Sequence, residues 1–308
     1  MAQITAAMVK QLREMTDSPM MECKKALVEA DGDMDAAVDV LRKNGLAKAA
    51  KKAGRETNEG AVAAFVSEDG KTGALLELSC ETDFVGSNAK FTGFASKVAE
   101  VVAATEPADV DALLEKPMGE ETVSSELTEM IHIMGENMKI SRFAARKAEN
   151  GALASYIHMG GKIGVLVVAD TDSDSDAVKE CLKNVAMQVA ALRPQYVSTD
   201  DVDADYKEHE KSILLAQAKN DPKNANKPDE IFEKMITGRL NKELKEVCLL
   251  EQEYFKGENK ESVGKYVESV AKAEGCKLVV EKFIRFETGE GIEKKEEDFA
   301  AEVAAQMQ

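Results

Sequence analysis

An internal repeat in the middle of the chain constrains its fold more than any other feature. Each copy has two short apolar runs separated by a glycine-containing turn, and the runs lie at residues 60–66 and 73–78 in the first copy and at 151–158 and 164–168 in the second. Both copies continue into a stretch whose apolar residues recur at helical spacing. The repeat predicts, twice over, a β-hairpin packed under a helix, and therefore an α+β fold with two related core subdomains.

Residues 1–54 have a different pattern, which predicts a module of three short helices. Pro19 suits the first turn of the second helix, because the missing N–H costs nothing there. A third helix is expected to start at Met34 and to end at Asn44-Gly45, since glycine commonly ends helices. A linker over residues 48–59 would then join the module to the first copy of the repeat.

The patterns divide the chain into consecutive units. The run at residues 276–286 reads as one more strand of the second core subdomain, which is therefore predicted to be discontinuous. The units are a three-helix module (1–54), a first core subdomain (55–150), a second core subdomain (151–204 and 248–289), an inserted antiparallel helical hairpin (205–247) and a C-terminal helical segment (290–308). The apolar seam of the hairpin could pack on itself and on a second copy, so a homodimer through the hairpin is a further prediction.

Composition narrows the range of partners and locations. With 57 acidic against 40 basic residues the formal net charge is −17, which would repel phosphate backbones, so no direct nucleic-acid partner is expected. The basic cluster Lys48, Lys51, Lys52 and Arg55 is better explained as a solvated helix end than as an RNA contact. No apolar run reaches the roughly 18 residues of a membrane span, and the N-terminus has no signal-peptide pattern. We expect a cytoplasmic protein without a membrane partner.

The sequence offers no residues in a pattern that supports covalent chemistry. Its three histidines lie far apart, its five cysteines are widely spaced, and it has no phosphate-binding or nucleophile motif. The acidic run at residues 170–176 lacks the glycine and terminal glutamate of a calcium loop, so we interpret it as a solvated loop. A metal-dependent hydrolase that uses this run is the alternative. We expect no enzymatic activity, no bound metal and no cofactor.

A bulky ring stands at the turn after the second strand of the first copy. The segment Cys80-Glu81-Thr82-Asp83-Phe84-Val85 places Phe84 where the chain should be turning polar. The ring could staple the following helix by packing against residues 88–91. Alternatively, a ring on a short strand-to-helix turn could enter a pocket of a partner, with Asp83 acting on a nearby charge. The second copy has no equivalent of Phe84, so the frame does not itself require the ring.

Met20, Met21 and His158 also have two interpretations each. One of two consecutive methionines on a helix must point away from the core, and flexible thioethers suit contact surfaces, whereas core packing is the alternative for both. Lys24, one turn further on, would add a charge to such a surface. His158, beside Gly160-Gly161, could be a contact residue or a hydrogen-bonded turn histidine.

Several motifs stand in a fixed order along the chain: Leu12-Arg13-x-x-Thr16, Met20-Met21-x-Cys23-Lys24-Lys25-Ala26-Leu27, Cys80-Glu81-Thr82-Asp83-Phe84-Val85, His158, Gly164-Val165-Leu166-Val167, Phe283-Ile284-Arg285-Phe286-Glu287 and Asp298-Phe299-Ala300-Ala301-Glu302-Val303-Ala304. Taken in order, these motifs closely resemble the bacterial elongation factor Ts family. The element Thr82-Asp83-Phe84-Val85 is the most specific of them. The helical hairpin is similar to that of the long bacterial form.

The resemblance implies a guanine nucleotide exchange factor that binds elongation factor Tu in its GDP form and promotes GDP release in translation elongation. Such factors make no covalent bonds and act on Mg-GDP held by the partner, not on a cofactor of their own. By the same resemblance, Phe84 inserts between helices of the GTPase and, with Asp83, disturbs the side that holds Mg²⁺. The other partner-binding residues that it implies are Thr82, Val85, Arg13, Met20, Met21, Lys24, Met134 and His158.

The chain departs from the family pattern at Pro19, where Gly or Ser is usual, and at Gly86-Ser87, which replace a small-plus-basic pair. A rival hypothesis treats residues 1–54 as an adaptor of the ubiquitin-associated type, with the rest as a scaffold, since small three-helix folds do not determine function. That hypothesis predicts binding through Met20 and Met21 that is indifferent to Phe84.

Overall fold

The computed structural model describes residues 4–220, 229–257 and 260–290. Over these residues the protein has the predicted α+β class, with eleven α-helices, two three-stranded sheets and one two-stranded sheet, all antiparallel. The helices are α1 (Ala6–Thr16), α2 (Met20–Glu29), α3 (Met34–Lys52), α4 (Asp83–Gly86), α5 (Ala89–Thr105), α6 (Val110–Leu114), α7 (Val123–Met134), α8 (Asp176–Leu192), α9 (Ala204–Asn220), α10 (Asp229–Val247) and α11 (Val263–Glu274). The strands are β1 (Glu59–Val66), β2 (Thr72–Cys80), β3 (Pro117–Met118), β4 (Glu121–Thr122), β5 (Met138–Lys147), β6 (Gly151–His158), β7 (Ile163–Thr171) and β8 (Leu278–Glu287).

The first three helices pack around a small apolar core of their own. Thr5 caps α1 and Asp33 caps α3, each side chain accepting a hydrogen bond from a backbone N–H of the first turn, at 3.3 and 2.9 Å. Pro19 directly precedes α2, close to its predicted place in the first turn. The buried core residues are Val9, Leu12, Cys23, Ala26, Leu27, Ala37 and Leu41.

The predicted end of the third helix at Asn44-Gly45 is wrong, because α3 continues to Lys52. Gly45 is buried against His132 of α7, and a Cβ at this position would lie 3.6 Å from the imidazole. Packing between α3 and α7 offsets the roughly 1 kcal/mol that a glycine costs inside a helix. The linker to the first sheet is correspondingly shorter than predicted and spans residues 53–58.

The first sheet has the strand order β1-β2-β5. α5 packs on β1 and β2, and Phe91 of this helix is fully buried in the core. The sequence patterns do not predict β5, because Lys139, Arg142 and Arg146 interrupt its apolar residues. Its pairing with β2 places Met138 opposite Cys80, and this register decides which residues meet at the end of β2.

The second sheet has the order β6-β7-β8 and contains both predicted strands of the second copy. α8 packs on β6 and β7, and α11 packs on α8. β8 joins the sheet after the chain has passed through α9 and α10, as predicted from the late apolar run. A buried apolar cluster joins the two sheets, and a Cβ on Gly164 would lie 2.3 Å from Cγ1 of Val62. The close approach of the sheets therefore requires a glycine at this position.

α9 and α10 pack against each other as a helical hairpin. The seam that the sequence predicts is buried in large part, through Leu214, Phe232, Ile236, Leu240 and Leu244. Ile231 is 44% exposed, and a homodimer through this hairpin stays a prediction. Apart from Glu290, the predicted C-terminal helical segment (290–308) lies outside the described residues.

Candidate functional site

The Phe84 turn lies between the first sheet and α5. β2 ends at Cys80, and the chain turns at once into the four-residue helix α4, which Thr82 caps by accepting the N–H of Val85 at 3.4 Å. Val85 is half-buried against the first core, whereas Phe84 is 84% exposed. The interpretation of Phe84 as a staple of the next helix is wrong, because a ring that packed on α5 would be covered. The turn presents Asp83 and Phe84 to solvent.

Contacts with the sheet hold this turn from below. Gly86 is buried against β1, where a Cβ on it would lie 3.1 Å from the carbonyl oxygen of Gly60. The Cys80 thiol lies inside the turn, with Sγ 3.1 Å from the carbonyl oxygen of Thr82. Burial raises the pKa of the Cys80 thiol to about 12, so this side chain is a neutral, weak hydrogen-bond donor. The backbone on either side of Phe84 is therefore tied to the sheet.

Glu136, which no motif of the sequence indicates, closes the turn from the other side. It follows Gly135, the left-handed residue (φ 80°) that ends α7. Its carboxylate accepts hydrogen bonds from the backbone N–H groups of Glu81 (3.2 Å) and Thr82 (3.0 Å) and from the Thr82 hydroxyl (2.7 Å). An acidic residue after a helix-ending glycine is too common a pattern to have predicted these contacts.

The predicted contact residues of the three-helix module all lie at its surface. Met20 is 52% exposed and Met21 is 62% exposed, so the alternative that both pack in the core is wrong. Arg13 and Lys24 are exposed as well. The structure thus leaves two thioethers and two cations free to meet a partner on α1 and α2.

An ion pair shows that these residues are neighbours of the Phe84 turn. Nζ of Lys90 lies 3.1 Å from Oδ1 of Asp17, which joins the first turn of α5 to the corner between α1 and α2. The Phe84 turn directly precedes α5, and Met20 directly follows that corner. Both side chains of the pair are mostly exposed, so it contributes little to stability. It does place the two predicted contact segments side by side.

Met134 and His158 are less exposed than Phe84 and the predicted contact residues of the three-helix module. Met134, the last residue of α7, is half-buried against the first core. His158 is half-buried, and its Nδ1 lies 3.0 Å from the Tyr156 hydroxyl, as expected for a hydrogen-bonded turn histidine. The next residue, Met159, is 69% exposed. A Cβ on Gly161 would lie 3.0 Å from Cβ of Ala61, so this hairpin tip lies over the start of β1, where the Phe84 turn also packs.

The basic cluster near the end of α3 is bonded to other residues of the protein. Lys48 pairs with Glu22, Lys52 donates to the carbonyl oxygen of Ile131 at 3.2 Å, and Arg55 pairs with Glu81 at 3.3 Å. These contacts engage three members of the predicted basic cluster within the protein.

The acidic loop after β7 is likewise paired within the protein. Asp170 pairs with Lys277, and Asp172 accepts the backbone N–H of Lys277 at 2.8 Å. Among the described residues no three acidic, histidine or cysteine side chains are placed to hold a metal ion. In the same ranges, none of the helices has the length and apolar character needed to cross a membrane.

A sequence model of the family described as Elongation factor TS matches residues 81–290. The Elongation factor Ts of Clostridium perfringens (strain SM101 / Type A) is 50% identical over 302 residues, which cover 98% of each chain. The chain belongs to the elongation factor Ts family. The Elongation factor Ts of Clostridium botulinum (strain Alaska E43 / Type E3) is 48% identical over 305 residues, covering 99% of each chain, and that of Trichlorobacter lovleyi is 48% identical over 309 residues, covering 98% of each.

Membership in the elongation factor Ts family makes the chain a translation elongation factor of the nucleotide-exchange class, not a catalyst of covalent chemistry. The matched range begins at Glu81 and takes in the Phe84 turn, Glu136 and the second sheet. The elongation factor Ts relatives align over nearly the whole chain, which includes the three-helix module.

Proposed function

We propose that this member of the elongation factor Ts family binds elongation factor Tu in its GDP form and promotes GDP release by inserting Phe84 into the GTPase. The observation that carries the proposal is the presentation of Phe84. A ring that is 84% exposed stands on a turn whose backbone is tied to the sheet on both sides. Exposed aromatic anchors on rigid supports lose little conformational entropy on binding, which is why they dominate interfaces.

Insertion of the ring accounts for exchange without bond chemistry. GDP is held largely by phosphate-binding backbone groups and by the Mg²⁺ ion of the partner, so a small displacement of those loops weakens binding steeply. Asp83, exposed beside Phe84, would add a negative charge on the side that holds Mg²⁺. The factor itself needs no cofactor in this scheme. It shifts the equilibrium by its higher affinity for the nucleotide-free GTPase.

The other predicted residues extend or support the same contact. Arg13, Met20, Met21 and Lys24 supply an exposed surface beside the turn. Met134 and His158 would contribute the exposed parts of half-buried side chains. Thr82 and Val85 are placed to hold Phe84 from the inside, one as the helix cap and the other as an apolar anchor.

In this scheme each unit of the chain has its own role. The three-helix module (1–54) resembles a ubiquitin-associated fold and would contact the GTPase domain, while the two core subdomains would carry the Phe84 turn and the His158 tip. Because the partner works in translation, the activity is assigned to the cytoplasm. Dimerisation through the 205–247 hairpin is a separate proposal that the exchange function does not require.

Release of fluorescent GDP from elongation factor Tu, followed by stopped flow, tests the proposal. The intact chain should accelerate release, and Phe84→Ala should slow the accelerated rate at least about tenfold, which corresponds to roughly 1.4 kcal/mol. Phe255→Ala is the matched control, because it removes a 46% exposed ring in another part of the chain. Since Phe84 makes little internal contact, the free energy of unfolding of Phe84→Ala should lie within about 0.5 kcal/mol of the wild-type value.

The possible outcomes separate the competing functions. If the wild type leaves GDP release unchanged, the exchange function is refuted. If the wild type accelerates release and Phe84→Ala is as active, exchange stands and the insertion of Phe84 is refuted. Binding through Met20 and Met21 with no dependence on Phe84 and no exchange would favour the adaptor hypothesis.

A further inference from the structure

The Phe84 ring receives almost no support from its own side-chain packing. It is 84% exposed, and α4 around it contains only four residues. A helix of this length has no stability of its own, because nucleation fixes more dihedral angles than its few hydrogen bonds repay. The orientation of the ring must therefore come from whatever holds the backbone of residues 81–85.

Sheet register brings Glu136 to this backbone. β2 and β5 are antiparallel, with Cys80 of β2 opposite Met138 of β5. Glu81 and Thr82 directly follow β2, and Glu136 and Asn137 directly precede β5. Because the two strands are antiparallel, these four residues lie at the same end of the sheet and meet there. The left-handed Gly135 ends α7 immediately before Glu136 and directs the chain into β5.

The Glu136 carboxylate accepts three hydrogen bonds from the turn. Oε2 accepts the backbone N–H groups of Glu81 at 3.2 Å and Thr82 at 3.0 Å, and Oε1 accepts the Thr82 hydroxyl at 2.7 Å. Because the single hydroxyl proton of Thr82 is committed to Glu136, its lone pairs are free to accept the N–H of Val85 at 3.4 Å. Glu136 thus fixes the direction of the hydroxyl that caps α4.

A second bond of the same kind runs in the opposite direction. Oε1 of Glu81 accepts the backbone N–H of Asn137 at 2.6 Å, and Nδ2 of Asn137 donates to the carbonyl oxygen of Arg55 at 2.8 Å. The two glutamates therefore cross-link the ends of β2 and β5, and Asn137 attaches this cross-link to the linker after α3. We call Glu81, Thr82, Glu136 and Asn137 the turn clamp.

We propose that Glu136 is a positioning residue for Phe84, acting through the turn clamp and not by contact with the GTPase. The inference rests on the proposed insertion of Phe84 into elongation factor Tu. Without the clamp the ring would have to be ordered on binding, and its productive orientation would be reached in a smaller fraction of encounters. Glu136 should therefore affect exchange only while Phe84 is present.

Glu136→Gln is the informative variant, because it keeps the size of the side chain and removes the second acceptor. Glu136 uses both of its oxygens, Oε2 for the backbone N–H groups and Oε1 for the Thr82 hydroxyl, so an amide would present an N–H donor at one of these two positions. Asp201→Asn is the matched control. Asp201 makes a similar clamp far along the chain, where Oδ2 accepts both the backbone N–H and the hydroxyl of Ser198 at 2.8 Å.

The test measures GDP release from elongation factor Tu with the wild type, Glu136→Gln, Phe84→Ala and the double variant. Loss of hydrogen bonds to a charged acceptor should lower the rate at saturating factor about tenfold. The factor concentration that gives half of the maximal rate should change less than the maximal rate itself, because the surfaces of α1 and α2 are unaltered. In the Phe84→Ala background Glu136→Gln should have no further effect, and Asp201→Asn should match the wild type.

Two results of the GDP-release assay would overturn the positioning role of Glu136. One is an equal slowing by Glu136→Gln with and without Phe84, which would indicate a general loss of structure or a direct contact. The other is no slowing at all. Backbone amide hydrogen exchange of Glu81 and Thr82 provides a reading independent of the GTPase, and unchanged protection in Glu136→Gln would also refute the clamp. Failure of the wild type to accelerate GDP release would refute the exchange function instead.

Discussion

Nε2 of His132 lies 3.2 Å from Oγ of Ser18, so that an imidazole of α7 meets a hydroxyl of the three-helix module in the interior of the protein. His132 is 4% exposed and Ser18 is 0% exposed. Glu22 approaches the same ring at 3.5 Å, while Nδ1 of His132 is buried without a hydrogen-bond partner. This contact, with Gly45 packed on the ring, fixes the module on the first core and hence next to the Phe84 turn.

The buried His132 makes stability sensitive to mild acid. Burial lowers its pKa below the ordinary value of 6.5, and Lys48 and Lys52 act in the same direction, against the opposing influence of Glu22. Well above pH 6.5 the ring is neutral in both the folded and the unfolded chain. Below it the unfolded chain takes up a proton first, so the free energy of unfolding falls, by at most about 1.4 kcal/mol per pH unit from this group.

Urea unfolding at pH 7.5 and pH 5.5 measures this effect. The wild type should lose more stability between the two pH values than His132→Gln, which keeps a polar side chain that cannot titrate. Parallel losses in the two proteins would show that other groups determine the acid sensitivity.

Two glycines should respond in opposite ways to an added methyl group. A Cβ on Gly45 would lie 3.6 Å from the His132 side chain, which is ordinary contact, and alanine would relieve the cost of a glycine inside α3. We expect Gly45→Ala to stabilise the chain by about 0.5 to 1 kcal/mol. A Cβ on Gly151 would lie 2.0 Å from the carbonyl oxygen of Ala169, so Gly151→Ala must displace the sheet backbone and destabilise it. Thermal unfolding of the two variants should shift in opposite directions, and a shared direction would contradict the packing described for α3 and α7.

The cysteines should react with iodoacetamide in a definite order. Burial raises the pKa of Cys80 and of Cys181 to about 12, and the thiolate is the reactive form. Cys276 is only half-buried, whereas the other four cysteines are buried. Mass spectrometry after brief alkylation of the native protein at pH 8 should find the label first on Cys276. Early labelling of Cys80 would show that the Phe84 turn opens readily.

The spacing of apolar residues correctly predicts those helices and strands in which the local conformational preference of the chain agrees with the tertiary packing. The hairpins β1-β2 and β6-β7 and the helices α5 and α8 are where the repeat places them, since their apolar spacing matches the faces they bury. The predicted end of α3 is wrong because glycine usually ends a helix, whereas here the packing of Gly45 on His132 lets the helix continue. β5 was missed because its basic residues lie among the apolar ones, and only pairing with β2 makes it a strand.

The sequence by itself determined the family and the candidate residues, because the motif Thr82-Asp83-Phe84-Val85 is local and is carried by consecutive side chains. Only the tertiary structure decided that Phe84 faces solvent and does not pack on α5. Only it revealed Glu136, which reaches Thr82 across 54 residues of sequence. Local spacing encodes the periodic burial of helices and strands, whereas a hydrogen bond between distant residues depends on sheet register. That register exists only once the strands have paired.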